Sequence, residues 1–112
     1  MLHETTKELL QEKLNDGTVG KRLLVFYADW CGPCKMYKSS LEQLAEKDNM
    51  DVFRVNIDKE QELAKEYRVA SIPFTVVLEN NQATKSFAGF KPYELLKKRN
   101  LKKKNKQPMI WV

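Results

Sequence analysis

Residues Leu23-Leu24-Val25-Phe26-Tyr27 place five large side chains in succession with no polar residue between them. A strand that alternates polar and apolar residues hides one face. An unbroken apolar run needs cover on both, which calls for a sheet with helices on each side. Immediately after it, from Gly32 to about Lys47, Tyr37, Leu41, Leu44 and Ala45 recur at helical spacing. The chain therefore passes from a buried strand to an amphipathic helix within a few residues, and those residues include Cys31 and Cys34, separated by Gly32-Pro33.

The remaining segments fit the same architecture. Thr5-Thr6-Lys7-Glu8 reads as a capping box opening a helix to about Asn15, with Leu9, Leu10 and Leu14 on its apolar side; Asp16-Gly17 ends it. Val52 to Ile57 is a second strand, followed by a helix over about Lys59 to Tyr67. Phe74 to Glu79 and Ala83 to Ala88 flank Asn80-Asn81, a pair suited to a tight hairpin at positive φ. Pro92 favours a helix start, and that helix is expected to reach about Lys104. Strand-helix-strand, then hairpin and helix, predicts an α/β fold: a central mixed sheet of about four strands flanked by helices. At 112 residues and 42% hydrophobic, the chain is expected to form one domain over residues 1–104, with a tail over 105–112.

Charge and composition narrow the function. The net charge of +5 is uneven: residues 91–112 hold eight cations and the single acid Glu94, leaving twelve cations against fourteen acids elsewhere. That distribution describes a solvated helix face and tail rather than a nucleic-acid surface. No apolar run approaches the roughly 18 residues of a membrane span. The opening MLHETTKELLQEKLN is charged and amphipathic rather than an apolar signal core, so a cytoplasmic address is expected.

Two cysteines in such a chain argue for a working thiol pair. At a strand-to-helix junction, Cys31 falls at the helix N-terminus, where unsatisfied N–H groups and the positive dipole end favour a thiolate. Cys34, three residues on, lies on the same helical face, within reach of a reversible disulfide. Lys35 and Lys38 add positive charge in the next turn. A zinc site would need about four ligands, and beyond the two cysteines only His3 and carboxylates are on offer. A purely structural disulfide would close too short a loop to stabilise much.

Trp30-Cys31-Gly32-Pro33-Cys34-Lys35, preceded by Phe26-Tyr27-Ala28-Asp29, resembles the active-site sequence of the thioredoxin family. The similarity continues through Val55-Asn56-Ile57-Asp58, Ser71-Ile72-Pro73 and Gly89, and covers roughly residues 6–101. The resemblance implies a thioredoxin fold and protein-disulfide reductase activity through a dithiol/disulfide cycle. Cys31 would attack and Cys34 would resolve. Gly32 and Pro33 would set a reducing potential, and Ile72-Pro73 would be a cis-proline element beside the thiols. The Ile72 backbone would pair with an extended client segment, in a groove formed with Trp30, Pro73, Gly89 and Phe90. Electrons would come from an NADPH-linked thioredoxin reductase, and the chain, expected to be a monomer, would need no cofactor of its own. A dedicated oxidoreductase with one client, or a thioredoxin-fold binding subunit, remain as alternatives.

Four features depart from the family pattern. Val25 stands six residues before Cys31, where the family has a buried acid, and Arg54 takes the place of the lysine that neighbours that acid. Ser39 replaces the proline that kinks the active-site helix, Met1 to Glu4 is too short for a full opening strand, and the tail ends Gln-Pro-Met-Ile-Trp-Val. The apolar residues Met109 to Val112 would be accepted by an uncovered sheet edge or helix face. Val25 cannot exchange a proton, Leu24 and Phe26 beside it are apolar, and Asp29 falls near the exposed strand end rather than replacing the acid, so slow resolution by Cys34 near neutral pH is expected.

Overall fold

The computed structural model describes residues 1–101, with side chains through Lys98. In chain order the elements are β1 (Leu2–Glu4), α1 (Lys7–Leu14), β2 (Lys21–Tyr27), α2 (Gly32–Lys47), β3 (Asp51–Asn56), α3 (Gln61–Glu66), β4 (Phe74–Glu79), β5 (Gln82–Ala88) and α4 (Tyr93–Leu101). The strands form one mixed sheet in the order β1-β3-β2-β4-β5. β3 runs parallel to both β1 and β2, whereas β4 is antiparallel to β2 and β5. The sheet thus has five strands where the sequence suggested about four. The opening strand is short but present, because the Met1 carbonyl accepts from Val52 N–H at 2.9 Å and Thr5 N–H donates to the Arg54 carbonyl at 2.8 Å.

β2 is covered on both faces, as its apolar run predicts. Leu23 and Val25 pack with Tyr37, Leu41, Leu44 and Leu96 from α2 and α4. Leu24 and Phe26 pack on the other side with Leu10 and Leu63 from α1 and α3. Each fully buried side chain of this size contributes roughly 1.5–3 kcal/mol, so the two layers together anchor the strand.

Several boundaries shift for local reasons. Thr6, not Thr5, caps α1, its hydroxyl accepting from Leu9 N–H at 3.3 Å; the Thr5 backbone is engaged by β3. Leu10 is buried and Leu14 partly so, but Leu9 faces solvent. α3 starts two residues later than expected, because the Lys59 and Glu60 N–H groups turn back onto the Asn56 carbonyl. Asn80 and Asn81 both take positive φ, 53° and 71°, as the hairpin requires. α2 runs without a break over Gly32–Lys47, since Ser39 keeps the backbone N–H that a proline lacks. The expected continuation of α4 to Lys104 and the tail 105–112 lie outside the described residues.

One polar pair sits in the core of the α2 layer. The hydroxyls of Tyr37 and Thr75 are 2.8 Å apart, with Tyr37 1% and Thr75 0% exposed. Tyr37→Phe removes one partner and is expected to cost about 1–3 kcal/mol, because a buried hydroxyl loses a hydrogen bond that water cannot replace. Urea denaturation of the two proteins measures it.

Candidate active site

The junction between β2 and α2 is fixed from both ends. The Tyr27 carbonyl, the last of β2, accepts from Ile57 N–H at 2.9 Å, and Cys31 N–H turns back onto the Ala28 carbonyl at 3.2 Å. Cys31 is the N-cap of α2: its backbone is extended (φ −91°, ψ 111°), its carbonyl accepts from Lys35 N–H, and its Sγ accepts from Cys34 N–H at 3.2 Å. One of the orphan N–H groups of the helix therefore points at the Cys31 sulfur. Pro33 fits the first turn, where a missing N–H costs nothing. The pair is joined as a disulfide with Cα atoms 5.2 Å apart. In this state both cysteines are nearly covered, Cys31 6% and Cys34 3% exposed. Exposure separates them weakly, and position in the helix separates them clearly.

The other residues singled out in the sequence converge here. Ile72 packs against Ala28 and both cysteines, and its carbonyl oxygen lies 3.9 Å from Cys31 Sγ. The Ile72-Pro73 bond is cis. Gly89 N–H donates to the Pro73 carbonyl at 2.8 Å, with φ +95°, a conformation that favours glycine. Trp30 is 68% exposed, its indole Nε1–H donating to Asp58 Oδ2 at 2.9 Å. Gly32 and Pro33 are exposed. Phe90 is half-buried, edge-on to Tyr37, and belongs to the α2 layer of the core.

Val25 is 1% exposed and faces Arg54 on β3 and Thr75 on β4 in register. Arg54, buried at 6%, pairs with Glu4 of β1, and its guanidinium lies 3.7 Å from the Tyr27 ring centroid. The Tyr27 hydroxyl donates to Glu4 Oε1 at 2.8 Å. Burial, reinforced by that hydrogen bond, raises the Tyr27 phenol above its ordinary pKa. Arg54, beside the position where the family has its buried acid, finds its carboxylate partner in the short first strand instead. Pairing between residues 4 and 54 carries no local sequence signal, and the Trp30–Asp58 bond is likewise a tertiary contact. Beside this pair opens a cleft of about 470 Å³ whose walls include Asp29, Cys34, Lys35, Lys38 and Lys59. Among the described residues no group of three or more His, Cys, Asp or Glu side chains is placed to hold a metal ion. No helix of the described residues is long and apolar enough to cross a membrane.

Comparison with known proteins matches this arrangement to one family. The thioredoxin family model covers residues 1–102. Thioredoxin of Bacillus subtilis is 36% identical over 95 residues, covering 83% of this chain and 88% of its own length. Thioredoxin-1 of Drosophila melanogaster is 41% identical over 75 residues, covering 65% of this chain and 70% of its own. Among solved structures, the germline-specific thioredoxin Deadhead of Drosophila melanogaster superposes with a TM-score of 0.77 at 31% identity, covering 92% of this chain and all of that one. A thioredoxin from Nicotiana alata reaches 0.81 over 90% of each chain; at 24% identity it speaks for the fold. With a five-stranded mixed sheet, four helices and a cysteine pair at the head of α2, the chain belongs to the thioredoxin family and is a protein-disulfide reductase.

Proposed function

We propose that Cys31 is the attacking thiol and Cys34 the resolving thiol of a general protein-disulfide reductase. The observation that carries this assignment is the N-cap: the Cys34 N–H is directed at Cys31 Sγ, and the positive end of α2 favours charge on that sulfur. In the reduced protein the Cys31 thiolate attacks a client disulfide, forming the Cys31–client bond and releasing one client sulfur as a thiolate that takes a proton. Cys34 then attacks Cys31 Sγ, the Cys31–client bond breaks, and the client's second thiol leaves. The client ends reduced by two electrons and the Cys31–Cys34 disulfide holds the oxidised equivalent. An NADPH-linked thioredoxin reductase would return it to the dithiol, and the protein would work as a cytoplasmic monomer. An extended client would align with the Ile72 backbone, in contact with Trp30, Gly32, Pro33, Pro73 and Gly89; the exposed indole and the cis-proline backbone beside Cys31 support that placement.

Cys31→Ser is expected to abolish reduction of a model protein disulfide by dithiothreitol, whereas Cys34→Ser accumulates stable mixed disulfides through Cys31. Limiting alkylation of the reduced protein, read by peptide mass, should label Cys31 first; preferential labelling of Cys34 reverses the assignment. A general reductase accelerates the model reaction strongly, a dedicated one needs its own client, and a binding subunit is inert with both thiols intact.

Residues 1–104 are proposed as the folding unit. Deletion of residues 105–112 should leave turnover unchanged and alter solubility or stability alone; loss of turnover at unchanged stability places the tail in the site.

Val25→Asp is expected to destabilise the protein at pH 7 by about 1–3 kcal/mol, the cost of an imperfectly paired polar group in an apolar layer. Burial would raise the folded pKa of that carboxyl above its unfolded value. Its favourable contribution is then present in full below the unfolded pKa and lost as pH rises through the folded one. The stability gap to the parent protein should therefore narrow on acidification from pH 7 to 5, as denaturant titrations at each pH would show.

A further inference from the structure

Resolution requires Cys34 to lose its proton, and the family's usual acceptor position is the apolar Val25. Val25 itself is sealed among Leu23, Tyr37 and Leu41, and Cys34 packs with Ala28, Cys31, Tyr27, Ile57 and Ile72. Cys34, though only 3% exposed, forms part of the wall of the cleft beside Arg54, and Asp29 forms another part of the same wall. A second carboxylate, Glu4, also borders this cleft, but it is held by the Arg54 guanidinium and by the Tyr27 hydroxyl. Asp29 Oδ2 accepts from the Asn56 side-chain amide at a long 3.4 Å.

We propose that Asp29 accepts the Cys34 proton across this cleft, in place of the carboxylate that Val25 lacks. The proposal rests on Cys34 being the resolving thiol. The proton passes from Cys34 Sγ to a carboxylate oxygen of Asp29, directly or through one water. Cys34 Sγ then bonds to Cys31 Sγ, the Cys31–client S–S bond breaks, and its electron pair leaves on the client thiolate. Asp29 afterwards returns its proton to solvent or to that thiolate, so nothing further is consumed.

The charges facing the cleft from each packed element suit this step. Lys35 and Lys38 from α2 and Lys59 from the β3–α3 turn bring positive charge to the side where Cys34 becomes negative. Arg54 and Glu4 largely neutralise each other, and Tyr27 donates to Glu4. Of the two carboxylates bordering the cleft, Glu4 is thus the one paired with the arginine. Slow resolution, expected from the sequence because Val25 has no replacement beside it in the chain, becomes the property of a variant lacking Asp29 rather than of the parent protein.

Stopped-flow reaction of the fully reduced protein with a saturating aromatic disulfide provides the test. One chromophoric thiolate is released when Cys31 attacks and a second when Cys34 resolves. Asp29→Asn should leave the first phase unchanged and slow the second by about tenfold to a hundredfold at pH 7, the scale of a lost proton acceptor. The deficit should close toward pH 9.5 as hydroxide takes over. Asp29→Glu should retain most of the parent rate, and Val25→Asp added to Asp29→Asn should recover part of it. Equal second phases for parent and Asp29→Asn across pH, or an equal slowing at every pH, overturns the proposal. So does a slow second phase in Glu4→Gln with none in Asp29→Asn. A first phase that survives Cys31→Ser would instead overturn the underlying assignment of the two thiols.

Discussion

Both thiols are suspended from the C-terminal end of β2, and the burial of that strand on both faces fixes them in space. β2 lies third in the sheet, bonded to β3 on one side and β4 on the other. Its side chains alternate between two apolar layers, so a slip of one residue would exchange Leu23 and Val25 with Leu24 and Phe26 and misfit both. Because the strand cannot slide, the Tyr27 carbonyl meets Ile57 N–H, the chain turns at Ala28, and Cys31 arrives at the head of α2. α2 is held in turn by Tyr37, Leu41 and Leu44 against the same sheet. The geometry of the dithiol is thus a consequence of core packing, with the loop between strand and helix adding little freedom.

That packing also explains where charge can reside. A carboxyl at residue 25 would lie within the α2 layer, where the nearby polar groups are the Tyr37–Thr75 hydroxyl pair and Arg54. Valine removes the desolvation cost and leaves Arg54 to be neutralised otherwise. Glu4 does so from the three-residue first strand, and Thr5 just after it donates its N–H to the Arg54 carbonyl. A buried guanidinium without a counter-charge would be strongly unfavourable. The last residue of the short β1 thus supplies the counter-charge of a buried guanidinium.

The local part of this architecture was legible in the sequence, and the non-local part was not. The bounds of α2, Gly32 to Lys47, match the expectation because helical spacing and an N-terminal Gly-Pro act within the segment itself. The Asn80-Asn81 hairpin was legible for the same reason, since positive φ is a property of those residues. By contrast, Thr5 and Thr6 are equivalent caps until β3 engages the Thr5 backbone, and only then does Thr6 become the cap. Leu9 looked like a core residue by spacing, but a helix of eight residues on this sheet buries one narrow stripe, and Leu10 occupies it. The convergence of Cys31, Ile72, Pro73 and Gly89 was carried by the family resemblance alone, because contacts across forty to sixty residues leave no periodic trace.

The position of Asp29 bears on how this chain reconciles stability with proton transfer. A desolvated carboxylate is a strong base, and its burial weakens the fold; a solvated one is a weaker base that costs the fold little. Asp29 is exposed and Val25 is sealed, so the proposed acceptor stays in water and the core stays apolar. Removal of the thiol proton can also be helped on the sulfur side. The cationic wall of the cleft does this, since Lys35, Lys38 and Lys59 attract the charge that appears on Cys34 while remaining hydrated themselves. Charge on Cys31 is met by the Cys34 N–H and the end of α2. On the proposed roles, the two sulfurs are activated by separate devices, a helix terminus for attack and a solvent-facing cleft for resolution.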